Sequence, residues 1–66
     1  METVGFIGLG NMGAGMANNI QKAGYALVIH DLREEATRQF LERGARFGDS
    51  PAEVARLSDV IVTSLP

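Results

Sequence analysis

Gly8, Gly10 and Gly13, within Gly8-Leu9-Gly10-Asn11-Met12-Gly13, and the acidic Asp31 further on carry the chemistry legible in this sequence. That chemistry is the capture of a pyrophosphate and, beside it, of a ribose diol. Between a strand and a helix each glycine excludes a side chain for its own reason. Gly8 allows the tight turn, Gly10 lets the main chain approach a phosphate, and Gly13 lets the new helix lie flat against the strand. The unpaired N–H groups of the first helical turn and the positive end of its dipole then favour a pyrophosphate without a cation. Consistently, no Lys or Arg precedes Lys22.

The elements that must position these residues are legible around them. An apolar run, Val4 to Ile7, precedes the glycines, and an amphipathic run, Ala14 to Ala23, follows. Protein-kinase loops share the glycine spacing but join antiparallel strands. Here Met12, Met16 and Ile20 recur four apart, with Gly13 and Ala17 on the neighbouring stripe, which is a helical period. Met12 and Met16 are therefore expected in the core. Gly24 suits the left-handed position after the helix. Tyr25 to His30 reads as a strand apolar on both faces, and Asp31 at its end has the spacing of a ribose-binding carboxylate.

Arg33 to Arg43 reads as a second helix with Ala36, Phe40 and Leu41 inward, stopped by Gly44. A short strand near Ala45 to Phe47 follows, and Ser50-Pro51-Ala52-Glu53 has the form of a capping box opening a helix to about Leu57. Asp59 to Leu65 reads as the last strand. The expected fold class is α/β: a partial Rossmann fold, with a parallel sheet of about four strands ordered 3-2-1-4 and helices on both faces. In that order the glycine turn, Asp31 and Leu65-Pro66 converge at one end of the sheet.

Composition narrows the function classes. A net charge of −2, with six Lys and Arg scattered among the carboxylates, offers no basic face for nucleic acid. No apolar run approaches the roughly 20 residues that span a bilayer, so no membrane partner is expected. The absence of cysteine excludes disulfides and thiolate chemistry and suits a cytoplasmic setting. At 66 residues the chain is expected to be a piece of a larger domain, and strand-forming residues near Met1 leave no targeting segment before them. An uncovered last strand would then be prone to self-pairing.

Other reactive residues have plainer readings. His30 reads as a strand-end residue, and the pairs Asp49-Ser50 and Ser58-Asp59 read as turn and cap chemistry rather than parts of a triad. Glu34, Glu35 and Arg38 read as a solvated helix face, and no metal site is visible.

Taken together, GFIGLGNMGAGMANNIQKAGY, the Asp-ended strand and the closing Ser64-Leu65-Pro66 resemble the β-hydroxyacid dehydrogenase family, which includes 3-hydroxyisobutyrate dehydrogenase, tartronate semialdehyde reductase and 6-phosphogluconate dehydrogenase. The resemblance covers the whole chain. It implies a cofactor held by Gly8, Gly10, Asn11, Met12, Gly13, Asp31, Leu65 and Pro66, with Asn11 and Met12 acting through their main chain, and it makes Asn19 an anchor for a neighbouring loop. It further implies hydride transfer between a nicotinamide and a small 3-hydroxy acid, in a homo-oligomer. Asp31 favours NAD, whereas Arg33, two residues on, could meet the 2′-phosphate of NADP. The family's catalytic lysine, its nearby asparagine and its substrate-carboxylate loop have no counterpart in these residues, so no catalytic residue is assigned. The residues alone also leave open a non-catalytic nucleotide-binding module and a flavin-binding domain.

Overall fold

The computed structural model describes residues 2–63, apart from the side chains at positions 11 and 12. Strand β1 (Thr3–Ile7) leads into helix α1 (Gly10–Lys22), followed by β2 (Ala26–His30), α2 (Glu34–Glu42), β3 (Arg46–Phe47), α3 (Pro51–Leu57) and β4 (Val60–Thr63). All strand pairings are parallel, in the order β3-β2-β1-β4. Ile7 is in register with both His30 and Thr63, so the carboxyl ends of β1, β2 and β4 lie level at one end of the sheet.

Two helical layers cover the sheet. On one face Val4, Phe6, Leu27 and Ile29 form a core with Ala17 of α1 and Phe40 of α2. On the other face α3 packs against β1 and β2. There Val54 is buried between two glycines: a Cβ on Gly5 would come within 2.6 Å of Val54 Cγ1, and one on Gly48 within 2.5 Å of Val54 Cγ2. A glycine inside a strand often marks such a close approach. Leu27, Val28 and Ile29 of β2 are all buried, as a strand sandwiched between helices requires.

Local chemistry sets the element ends. The Ser50 hydroxyl accepts from Glu53 N–H at 3.2 Å with Pro51 at the first helical position, which is the serine half of the expected capping box; the Glu53 carboxylate accepts from Arg56 instead, at 2.8 and 3.2 Å. Gly24 and Gly44 stop α1 and α2 at φ +96° and +100°. Asp59 is a cap rather than the first strand residue: its Oδ2 accepts from Thr3 N–H at 2.9 Å and its own N–H donates to the Thr3 carbonyl at 2.8 Å. β4 therefore begins at Val60, and its expected end at Leu65 lies outside the described residues. Val60 and Ile61 point to opposite faces and are 45% and 43% exposed, so β4 is the thinly covered edge of the sheet.

Two expectations are corrected. Helix α1 starts at Gly10, ahead of the amphipathic run, so Gly10 and Gly13 lie in its first turn while Gly8 stays before its N-cap, Leu9. Met16 is 46% exposed; the buried stripe of α1 runs through Gly13 and Ala17, with Ile20 packed beside it. Small residues on that stripe bring the helix axis close to the sheet, which turns Met16 outward. In α2 the expected inward stripe holds, with Phe40 buried and Ala36 and Leu41 packed against the same core, and Thr37 is buried beside it, its hydroxyl donating to the Glu34 carbonyl at 2.7 Å. Among the described residues the ion pairs are Arg33–Asp31 and Arg56–Glu53, so Glu34 and Glu35 form none with Arg38.

Candidate functional site

The glycine turn is built at the carboxyl end of β1. Gly8 N–H donates to the His30 carbonyl at 2.8 Å, extending the β1–β2 ladder one step beyond the strands. Gly8 and Gly10 then take φ +79° and +49°, conformations that a side chain disfavours, with Leu9 between them as the N-cap of α1. The N-cap residue Leu9 makes no side-chain cap bond, and the first turn of α1 carries no acid. The backbone of Asn11 and Met12 belongs to that turn; Gly10 is exposed and Gly13 is buried against the sheet. The positive end of a 13-residue helix thus opens at the sheet end where β1, β2 and β4 finish.

Asp31 stands beside this turn. Its Oδ2 accepts from Leu9 N–H at 2.8 Å, its Oδ1 from Arg33 N–H at 2.9 Å, and Arg33 Nε lies 3.7 Å from Oδ1. The carboxylate is only 10% exposed while the Arg33 side chain is 64% exposed. Its pKa is lowered from the ordinary value near 3.8: the Arg33 N–H bond is the largest cause, burial opposes it, and the Leu9 N–H bond, the Arg33 charge and the nearby His30 add to the lowering. A carboxylate whose folded-state pKa is depressed contributes stability above its unfolded pKa and loses it as pH falls through the folded value. The stability difference between the wild type and Asp31→Asn should therefore be constant near neutrality and shrink below about pH 4. Thermal melts of both proteins from pH 7 to pH 2 check this; a constant difference throughout would contradict it.

The plain reading of His30 holds. Its Nδ1 lies 2.8 Å from the Gly48 carbonyl, which can only accept, so the proton sits on Nδ1, and its ring tilts against Phe47 at 6.0 Å. Gly48 N–H in turn donates to the Ile29 carbonyl at 2.9 Å, fixing the end of β3 against β2. Asn19 is exposed, and side-chain links from this part of α1 run through Asn18, whose Oδ1 accepts from Arg43 at 2.7 Å, and Gln21, whose Nε2 donates to the Phe40 carbonyl at 3.0 Å. An open depression of about 310 Å³ lies along α2 and β3, lined by Glu34, Thr37, Arg38, Leu41 and Phe47, away from the glycine turn. Among the described residues no cluster of three potential metal ligands occurs.

The structure thus brings Gly8, Gly10, the Asn11 and Met12 backbone, Gly13 and Asp31 to one edge; Leu65 and Pro66 lie outside the described residues. Sequence reasoning missed the bond from Asp31 to Leu9 N–H. Its only signal was the placement of an acid at a strand end level with the turn.

Residues 3–66 match the family model described as the NAD binding domain of 6-phosphogluconate dehydrogenase. The chain is 51% identical over 65 residues to a Dictyostelium discoideum protein named probable 3-hydroxyisobutyrate dehydrogenase, mitochondrial, covering 98% of this chain and 20% of that relative. It is also 51% identical over 63 residues to the Homo sapiens 3-hydroxyisobutyrate dehydrogenase, mitochondrial, covering 96% and 19%. A structure of Mycobacterium tuberculosis 3-hydroxyisobutyrate dehydrogenase with L-serine superposes with a TM-score of 0.87 at 36% identity, over 100% of this chain and 23% of that one. The chain spans about a fifth of the length of the curated relatives it matches. The glycine turn at a helix N-terminus, the 3-2-1-4 sheet and a match over residues 3–66 agree, and the chain belongs to the family of nicotinamide-cofactor domains described as the NAD binding domain of 6-phosphogluconate dehydrogenase.

Proposed function

We propose that residues 1–66 are the N-terminal, cofactor-holding portion of an oxidoreductase that transfers hydride between NAD and a small 3-hydroxy acid. The observation that carries the choice of NAD is the Asp31 carboxylate, fixed at the end of β2 beside the glycine turn. A carboxylate has about four lone-pair sites. Two are used by N–H groups here, which leaves two to accept from the ribose hydroxyls, and its charge would repel a 2′-phosphate. Arg33 is the counterweight, an exposed guanidinium within reach of the same place.

In this reading the turn and the first N–H groups of α1 hold the pyrophosphate, Asp31 orients the adenosine ribose, and Leu65 and Pro66 line the cofactor beyond β4. A bound nicotinamide supplies the hydride acceptor; this chain supplies its position. The substrate class is supported by the relatives' names and by L-serine in the mycobacterial structure, a small acid bearing a hydroxyl on carbon 3. The base that takes the hydroxyl proton is assigned to no residue of this chain.

Asp31→Ala should shift the ratio of NADH to NADPH affinity toward NADPH by about tenfold, the worth of a hydrogen bond to a charged group. Titration of both dinucleotides, followed by nicotinamide fluorescence, reads that ratio. An unchanged ratio would remove Asp31 from cofactor choice.

A further inference from the structure

We propose that Asp31 is also a positioning residue for the glycine turn, holding Leu9 in place so that the phosphate-binding backbone is set before any ligand arrives. The inference rests on the cofactor site proposed above. Leu9 is the one residue of the turn with a side chain between two glycines at positive φ, so its neighbours resist distortion least. Two successive N–H groups tie the turn to β2: Gly8 donates to the His30 carbonyl at 2.8 Å and Leu9 donates to Asp31 Oδ2 at 2.8 Å. Where β2 leaves the sheet, the carboxylate stands in for the next acceptor of the ladder.

The far side of the carboxylate is fixed as well. Oδ1 accepts from Arg33 N–H at 2.9 Å, and the residue before it, His30, is bonded through Nδ1 to the Gly48 carbonyl at 2.8 Å. Asp31 is thus held from β3 and from the start of α2, and it passes that order to Leu9, which is buried at 1% exposure directly before the first turn of α1. A charge-assisted bond to a backbone N–H is among the stronger hydrogen bonds, so its loss should loosen the turn without loosening the sheet.

A role confined to the ribose and a role in positioning the turn make opposite demands on NADPH. If Asp31 only reads the ribose, Asp31→Ala removes repulsion from the 2′-phosphate, and NADPH binding holds or improves. If it positions the turn, NADH and NADPH both bind more weakly, NADPH by roughly fivefold and NADH by more. The experiment measures both affinities in the intact protein and, without ligand, amide hydrogen exchange at Leu9 against Val28 in the central strand. Asp31→Ala is expected to speed exchange at Leu9 by about tenfold beyond any change at Val28. Asp31→Asn, which keeps one carbonyl acceptor, should rescue part of that protection, and it carries the same readout should the alanine variant fail to fold. Unchanged NADPH affinity, or exchange at Leu9 that follows Val28 in both variants, would overturn the proposal. Failure of the wild type to bind either dinucleotide would instead overturn the cofactor reading, which the ligand-free exchange leaves distinguishable.

Discussion

Gly10→Ala should leave the protein folded and cost it most of its cofactor affinity. At φ +49° an alanine is strained by about 1–2 kcal/mol, a loss a small domain can survive. Gly10 is exposed at the head of α1, and in the site proposed above the backbone comes close to a phosphate there, so an added Cβ would take the ligand's place. Affinity for NADH and NADPH should fall together by about 10- to 100-fold, equivalent to roughly 1.4–2.8 kcal/mol. Gly24→Ala is the matched control. It has φ +96° and open space around its missing Cβ, and it lies at the opposite end of α1. It should be destabilised about as much and bind normally. Equal loss of binding in both variants would mean that strain, rather than the phosphate's approach, explains the effect.

Gly5→Ala should be the most damaging single-methyl addition in the sheet. The new Cβ would meet Ser58 Oγ, Val54 Cγ1 at 2.6 Å and Ser58 Cβ at 3.0 Å, and the buried Val54 is itself wedged against Gly48. Overpacking of this kind typically costs about 1–3 kcal/mol. Against a total stability of about 3–10 kcal/mol for a chain of 66 residues, that is a large share. Urea unfolding should show a lower midpoint with an unchanged slope. Val54→Ala, destabilising alone, should partly rescue Gly5→Ala, giving a coupling of about 1 kcal/mol or more in the double-mutant cycle. Strict additivity would show that α3 does not press on β1 through this contact.

What the sequence disclosed depended on whether a signal was local. The run of strands and helices, their parallel order and the cap at Ser50 follow from periodicity, glycine stops and side-chain capping, which neighbouring residues set among themselves. The start of α1 was misplaced because glycine is a poor helix former, whereas here Gly10 and Gly13 are tolerated for their backbone freedom and thinness. Met16 looked buried because methionines four apart imitate a core stripe; the stripe that packs is the smaller one, Gly13 and Ala17. Thr37 was passed over because a hydroxyl in the core is costly unless bonded, and its partner, the Glu34 carbonyl, appears only once the helix forms.

In the site the same division holds. The glycines and Asp31 were legible as candidates because the proposed dinucleotide site would call for them at a fixed spacing. The bond from Asp31 to Leu9 N–H was not, since it joins residues brought together only by the parallel pairing of β1 with β2. The grip of Gly5 and Gly48 on Val54 was hidden for the same reason.

In the proposed function the glycine turn and the first turn of α1 are the pyrophosphate seat of a nicotinamide dinucleotide. Amide NMR during a titration with NADH tests it most directly. Saturable shifts at Gly8, Leu9, Gly10, Asn11 and Met12, accompanied by Asp31 and Arg33, are the expected result. Absence of binding, or shifts confined to the depression along Glu34, Arg38 and Phe47 with the glycine amides unmoved, would contradict it.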